Sequence, residues 1–276
     1  MDEFRRLKRA VKYVQAKLGD FKPQIAITLG SGLGDMVNLL QDAQSISYKE
    51  IPGCPITSVL GHEGRLWWGL LGGVRVLIFQ GRVHYYENLD VQDAVFHTRL
   101  AGMLGVKQFI LTHAVGSATR NLEPGDIVGI RSQIPFGCPD PTAGYGMDQF
   151  GTEPFTSLEN VLNPAWLRLA KKCAIEVGVP FSVGVSHFWM GRSFQMDAGT
   201  IAISRAGATV ATMSTIAETI AAAQMGALVL DLAIVTDMCS GLGIGPVSHD
   251  DVLRVVNAHK EGFGRLIMAV VQQMVA

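Results

Sequence analysis

Residues 207–237 read GATVATMSTIAETIAAAQMGALVLDLAIVTD. ATVATM and LVLDLAIVT are apolar, rich in β-branched residues and of strand length. Ser214 to Met225, between them, reads as a helix. Strand, helix, strand is the unit of an α/β fold with a largely parallel sheet. The alternation continues outward. Upstream lie a helix near 197–206, the strand SVGVSHFWM, a helix over Pro164–Val177, and the strands GDIVGI (125–130) and VKQFILT (106–112). Before them come a helix from Val91 to Leu104 stopped by Gly105, and the strands VRVLIF (74–79) and QIAITL. The chain opens on an amphipathic helix carrying Phe4, Leu7, Val11, Val14 and Leu18, ended by Gly19. It closes on a long helix capped by Ser248. Residues 135–160, rich in Gly, Pro, Asp and Thr, form a long loop of the kind that serves function or an interface. With no linker, repeat or low-complexity tract, one domain over 1–276 is the simplest organisation: a mixed, largely parallel sheet flanked by helices.

Composition narrows the function. A net charge of −1 gives no support to nucleic-acid or membrane-surface binding. No apolar run is long enough for a membrane span, and the charged start is not a signal peptide, so a cytoplasmic protein is expected. Cys54, Cys138, Cys173 and Cys239 are scattered without a CxxC, as reduced thiols would be. Hydrophobic residues make up 48%, which suits a buried sheet or a subunit interface.

The segment IAITLGSGLGDM (25–36) runs a buried strand into glycines around Ser31. A dinucleotide fingerprint fails here because Asp35 stands at the last glycine position, and a Walker loop fails for want of G-K-S/T. Two readings stay open: a tight turn with Ser31 as spectator, or a cradle for a small anion. Other strand ends favour the anion. His62 lies in GHEG, and Arg82 and His84 alternate after VRVLIF. THAVGS offers backbone N–H groups near Ala114, and Ser214 sits where a helix begins. Arg is a bidentate partner for phosphate oxygens. The plain alternatives are Ser214 as an N-cap and Arg82 paired with Glu87 on the surface.

Six segments in order resemble the trimeric purine nucleoside phosphorylases: TLGSGLG, GHEGRLWWG, GRVHYYE, THAVGS…PGDIV, GRSFQ…GATVATMSTIAETIAAAQMGALVLDLAIVTD and SHDDVL. The likeness covers nearly the whole chain. It implies phosphorolysis in purine salvage: phosphate attacks ribose C1′ and the purine leaves. It implies phosphate contacts from Ser31, His62, Arg82, His84, the Ala114 backbone and Ser214. Tyr86, Met213 and His249 would line the ribose, and Phe194, Gln195 and Asp237 the purine. His84, Gln195 and Asp237 would be the catalytic set. The resemblance also implies a homotrimer in which Phe150 enters the neighbouring subunit's ribose site, the plain alternative being a loop anchor in its own subunit. It implies no cofactor and no metal, inorganic phosphate being a co-substrate.

The departures from the family lie mainly at the base. Gln195 replaces a glutamate, and Asp237 replaces an asparagine that serves 6-oxopurines. An ionised Asp237 accepts from a 6-amino group, and a protonated one donates to N7. A preference shifted toward 6-aminopurines is therefore expected, against retention of 6-oxopurine activity by local repacking. Arg192 stands for a usual proline, Asn88 for a glycine and His113 for an asparagine. CSGLGIGP (239–246) makes the approach to His249 flexible. Alternatives are a 5′-methylthioadenosine phosphorylase-like enzyme, opposed by His249, a water-using nucleosidase, and a non-catalytic nucleoside- or phosphate-binding protein.

Overall fold

The structure, a computed structural model, describes residues 2–275 except Leu60, Tyr145, Gly146, Thr152, Ile244 and Pro246. The last two belong to CSGLGIGP and the preceding three to the 135–160 loop, so those parts of both readings lie outside the described residues. The helix α1 (Glu3–Leu18) starts on Asp2, whose carboxylate accepts the Phe4 N–H, and buries Leu7, Ala10, Val11, Val14 and Leu18. The strand β1 (Ile25–Leu29) is buried end to end. It is followed by a 3₁₀ turn (Gly34–Leu39), then β2 (Gln41–Ser47), β3 (Arg65–Leu71) and β4 (Val74–Gln80). Three short helices, α2 (Tyr85–Asn88), α3 (Val91–Ala94) and α4 (Phe96–Met103), lead to β5 (Gln108–Ser117) and β6 (Ile127–Ile134). The remaining order is α5 (Pro164–Val177), β7 (Phe181–Phe188), α6 (Asp197–Arg205), β8 (Val210–Thr212), α7 (Ile216–Gln224), β9 (Leu228–Met238) and α8 (His249–Met274).

The strands form one sheet in the order β2-β3-β4-β1-β5-β8-β7-β6-β9, and β9 returns to pair with β5. The last five strands thus close a ring. β1 is parallel to both neighbours, with Ile27 opposite Ile78 on one side and Ile110 on the other. That continuous burial is what a central parallel strand requires. Alternate residues feed two cores: Ile25, Ile27 and Leu29 pack with α5 and α8, and Ala26 packs with α1 and α4.

The sheet is mixed, and the unit over 207–237 is where directions diverge. β8 runs antiparallel to β5 while β9 runs parallel to it. A strand-helix-strand pattern therefore does not here connect parallel neighbours, because β5 lies between its two strands. β2 and β3 have no counterpart in the sequence reading. β2 is an outer strand, mostly exposed, and carries little of the apolar signal that reveals strands. The helix expected over 91–104 is broken at Val95.

Candidate active site

β1 pairs with β5 only as far as Thr28 opposite Leu111, whereas β5 runs on into the ring. A cavity of about 500 Å³ opens where the two part. Its wall includes Ser31, Arg82, His84, Tyr86, Ala114, Phe194, Gln195, Met213, Ser214, Asp237 and His249, so eleven of the thirteen residues singled out from sequence meet in one place. Openings between strands at their ends are where α/β sheets bind ligands.

At one end the loop after β1 is pressed onto β5. The Gly30 N–H donates to Thr112 Oγ1 at 3.1 Å. A Cβ on Gly30 would stand 2.8 Å from both the His113 Cα and the Thr112 carbonyl oxygen. The glycine is thus required for close approach, and it sets Ser31 at the cavity. His62 stands behind rather than in the wall: its Nε2 is 3.3 Å from Ser31 Oγ and its Nδ1 2.8 Å from the Arg82 carbonyl. Burial holds the His62 imidazole at a pKa of about 3, so the ring is neutral at physiological pH.

Arg82 is not a surface residue. It is buried, donates from Nη1 to the Thr112 carbonyl at 2.6 Å, and sets Nε 3.1 Å from Oε2 of Glu218. Glu87 instead serves His84, accepting its backbone N–H at 2.7 Å with ring Nδ1 3.2 Å from the same oxygen. The other Glu87 oxygen accepts from the Ser58 N–H at 2.6 Å and hydroxyl at 2.8 Å. Despite its desolvation these donors depress the Glu87 pKa to about 2. The His84 ring lies between Tyr86 (4.8 Å, 13°) and His62 (5.3 Å, 21°), and burial keeps its pKa below the usual value.

Ser214 is not the N-cap of α7. Thr215 is: its N–H donates to Glu218 Oε2 at 3.0 Å, and its φ is +63°. Left-handed backbone is costly for a β-branched residue and marks a turn held by its surroundings. The Ser214 hydroxyl is left at the cavity, 3.3 Å from Thr212 Oγ1.

The far end is aromatic and acidic. Phe194 is half-exposed, whereas Gln195 is buried. Asp237 Oδ1 accepts from the Thr236 hydroxyl at 2.9 Å, and burial raises the pKa of this carboxyl. Gly116 faces it, and a Cβ there would lie 2.8 Å from Asp237 Oδ2. The Trp189 indole donates to the Ser193 carbonyl at 2.9 Å and ties down the segment leading to Phe194. Ser58, Val59 and Trp189 join the wall without having been singled out, since none sits in a motif that marks chemistry.

Phe150 takes the plain reading of a loop anchor within its own chain. It is buried in its own chain, edge-on to Phe4 at 5.5 Å and beneath the Arg99 guanidinium at 4.1 Å. Among the described residues no three His, Cys, Asp or Glu side chains gather as a metal site. No helix among them is long and apolar enough to cross a membrane.

The cavity thus carries hydroxyl, guanidinium and imidazole groups at one end and a stacking ring beside amide and carboxyl groups at the other. The family described as the Phosphorylase superfamily matches residues 24–272. The chain is 32% identical to purine nucleoside phosphorylase 1 of Bacillus subtilis (strain 168) over 268 residues, 97% of this chain and 98% of that protein. A crystal structure of a Schistosoma purine nucleoside phosphorylase in complex with hypoxanthine superposes with a TM-score of 0.91 at 29% identity, covering 98% and 97% of the two chains. A Schistosoma mansoni purine nucleoside phosphorylase in complex with adenosine gives 0.91 at 28%, with the same coverage.

Proposed function

The chain belongs to the purine nucleoside phosphorylases of the phosphorylase superfamily, and on that premise we propose that it cleaves purine nucleosides with inorganic phosphate, releasing the free base and a pentose 1-phosphate. The observation that carries this reading is the gathering of Ser31, Arg82, His84 and Ser214 around one end of a cavity whose other end holds Phe194, Gln195 and Asp237.

The chemistry follows from charge. As the glycosidic bond breaks, C1′ becomes cationic and the purine anionic. A phosphate held beside C1′ by Arg82, the hydroxyls of Ser31 and Ser214 and the Ala114 region meets the positive charge and then forms the new C–O bond. The Glu87 carboxylate takes the Nδ1–H of neutral His84, which leaves Nε2 to accept the one O–H of hydrogen phosphate. His62 supports Ser31 from behind. Tyr86, Met213 and His249 share the cavity wall and are assigned to the sugar by the family likeness. Phe194 stacks the base. Gln195 and Asp237 hydrogen-bond its edge, and a protonated Asp237 donates to N7 as charge builds there.

Asp237 also sets the base preference. Desolvation raises its pKa, and its remaining oxygen lies beside Gly116 on the paired strand β5 at the cavity wall. An acidic group there accepts from an exocyclic amine, and as an acid it protonates N7. Either form serves a 6-aminopurine better than an asparagine would. Trimeric assembly, a cytoplasmic setting and the absence of a cofactor belong to the same reading and rest on the family likeness.

The decisive assay incubates adenosine, inosine and guanosine with and without phosphate. Cleavage that requires phosphate and yields ribose 1-phosphate supports the reading. Cleavage unaffected by phosphate identifies a hydrolase instead, and tight binding without turnover identifies a binding protein.

A further inference from the structure

Two buried groups, His113 in the cavity wall and Asp231 behind it, have no part in the reaction above. Nε2 of His113 lies 3.0 Å from Oδ1 of Asp231, an ion-pair distance outside hydrogen-bond alignment, and neither atom has another partner. Both side chains are essentially without solvent. A buried carboxylate is costly unless its oxygens are met, so this contact is a constraint and not an accident of packing.

Asp231 reaches both ends of one turn. Its Oδ2 accepts from the Thr215 hydroxyl at 3.2 Å and from Gln133 Nε2 at 2.9 Å. Its Oδ1 faces His113, whose Nδ1 is 2.8 Å from Thr212 Oγ1. Thr212 in turn accepts the Ser214 N–H at 3.2 Å and touches the Ser214 hydroxyl at 3.3 Å. The turn between these anchors contains Met213 and Ser214 and ends in the left-handed Thr215. Strained backbone of this kind persists only where its surroundings over-determine it.

We propose that Asp231 and His113 are positioning residues: Asp231 holds Thr215 directly and Thr212 through His113, and so locks the turn that presents Ser214 to the oxyanion. The proposal rests on the reading that this end of the cavity binds phosphate. In this arrangement the Nε2 proton points to the carboxylate, which leaves Nδ1 to accept the Thr212 hydroxyl. In Asp231→Asn the side-chain oxygen stays with Gln133 and Thr215, and the amide –NH₂ faces His113. The ring must then move its proton to Nδ1 or turn away, and the Thr212 anchor is lost while the Thr215 anchor remains.

The test is steady-state phosphorolysis by the full chain in four forms: unmodified, D231N, T212V and D231N/T212V. D231N raises the phosphate KM about fivefold, the weight of one neutral hydrogen bond, with kcat at saturating phosphate within about twofold of the unmodified enzyme. T212V does the same, and D231N adds nothing to it. A D231N phosphate KM equal to the unmodified value overturns the proposal. So do effects of D231N and T212V that multiply, and a parallel loss of kcat and of nucleoside affinity, which would mean general loosening. Should D231N not fold, ¹⁵N-histidine spectra of the unmodified protein decide: a protonated Nε2 on His113 is expected, and a bare Nε2 overturns the proposal. An unmodified enzyme indifferent to phosphate fails both readings, whereas a phosphate-dependent enzyme with an insensitive D231N fails this one alone.

Discussion

Arg82 meets Glu218 inside the protein, Nε to Oε2 at 3.1 Å, with both side chains almost free of solvent. The cation aimed at the oxyanion is therefore paired with an anion before any ligand arrives, and its direction is fixed by the carboxylate and by the Thr112 carbonyl. Glu218 also accepts the Thr215 N–H, so the pair joins the loop after β4 to the first turn of α7.

Arg82→Ala has two separable effects. It removes a charge-assisted contact to phosphate, which raises the phosphate KM by roughly 10- to 100-fold. It also strands Glu218 as a buried, unpaired charge, at a cost of about 3–5 kcal/mol in stability. The double variant Arg82→Met, Glu218→Leu regains most of the stability but none of the phosphate affinity. Denaturant unfolding and phosphate kinetics on the two variants check this. Recovery of phosphate affinity in the double variant would remove Arg82 from the anion site.

At the base, Asp237→Asn replaces an acid by a group that donates to O6 and cannot protonate N7. The ratio of kcat/KM for adenosine to that for inosine falls by at least about tenfold, in line with the discrimination one buried polar group supplies. Stability changes little, because Thr236 still donates to the retained oxygen. An unchanged ratio would assign base preference to Gln195 or to the segment around Arg192.

How much of this was legible in the sequence depends on range. Ser31, Arg82, His84 and Ser214 stand at strand ends, and strand ends are read from local pattern. The fold class and the convergence of eleven site residues were therefore accessible. Partnerships were not. Glu218 lies 136 positions from Arg82 and His113 99 positions from Thr212, and no periodicity reports such pairings. The same limit explains Thr215: a serine and a threonine in succession are equally good caps, and only the backbone shows which one turns left-handed. Phe150 had two open readings for a related reason. A phenylalanine in a glycine- and proline-rich loop looks available for a neighbour, whereas α1 and α4 bring Phe4 and Arg99 around it.

Acid weakens the fold through buried histidines. His97 is stacked on Phe79 at 5.0 Å and tilted against Tyr48 at 4.3 Å, and burial lowers its pKa to about 3. Its folded pKa lies below the unfolded value, so the unfolded chain binds the proton first. The stability it contributes is complete above about pH 6.5 and is lost as pH falls from there toward 3. Each such histidine steepens the loss by about 1.4 kcal/mol per pH unit. His97→Phe keeps the stacking and removes one proton's worth of slope between pH 6.5 and 5, where carboxylates in the unfolded chain are still largely ionised. Urea unfolding at four pH values measures the slope. A slope equal to that of the unmodified protein would show that His97 is already protonated in the fold.

Gly30→Ala tests the geometry of the anion loop with a single methyl group. Gly30 does not have positive φ, so alanine meets no backbone penalty there, and its effect is steric. The methyl would lie 2.8 Å from the His113 Cα and the Thr112 carbonyl oxygen, backbone atoms of a central strand that cannot yield. The loop must lift, breaking the Gly30 N–H bond to Thr112 and moving Ser31 away from Arg82 and His84. Overpacking of this size costs about 1–3 kcal/mol. The phosphate KM rises by about tenfold or more, the weight of one or two contacts to a charged ligand, while nucleoside binding at the far end changes by less than about twofold. Gly34→Ala, whose Cβ would meet only the flexible Gln80 side chain at 3.4 Å, is the matched control with near-normal kinetics. Equal kinetics in the two variants would mean that the loop after β1 does not hold the phosphate.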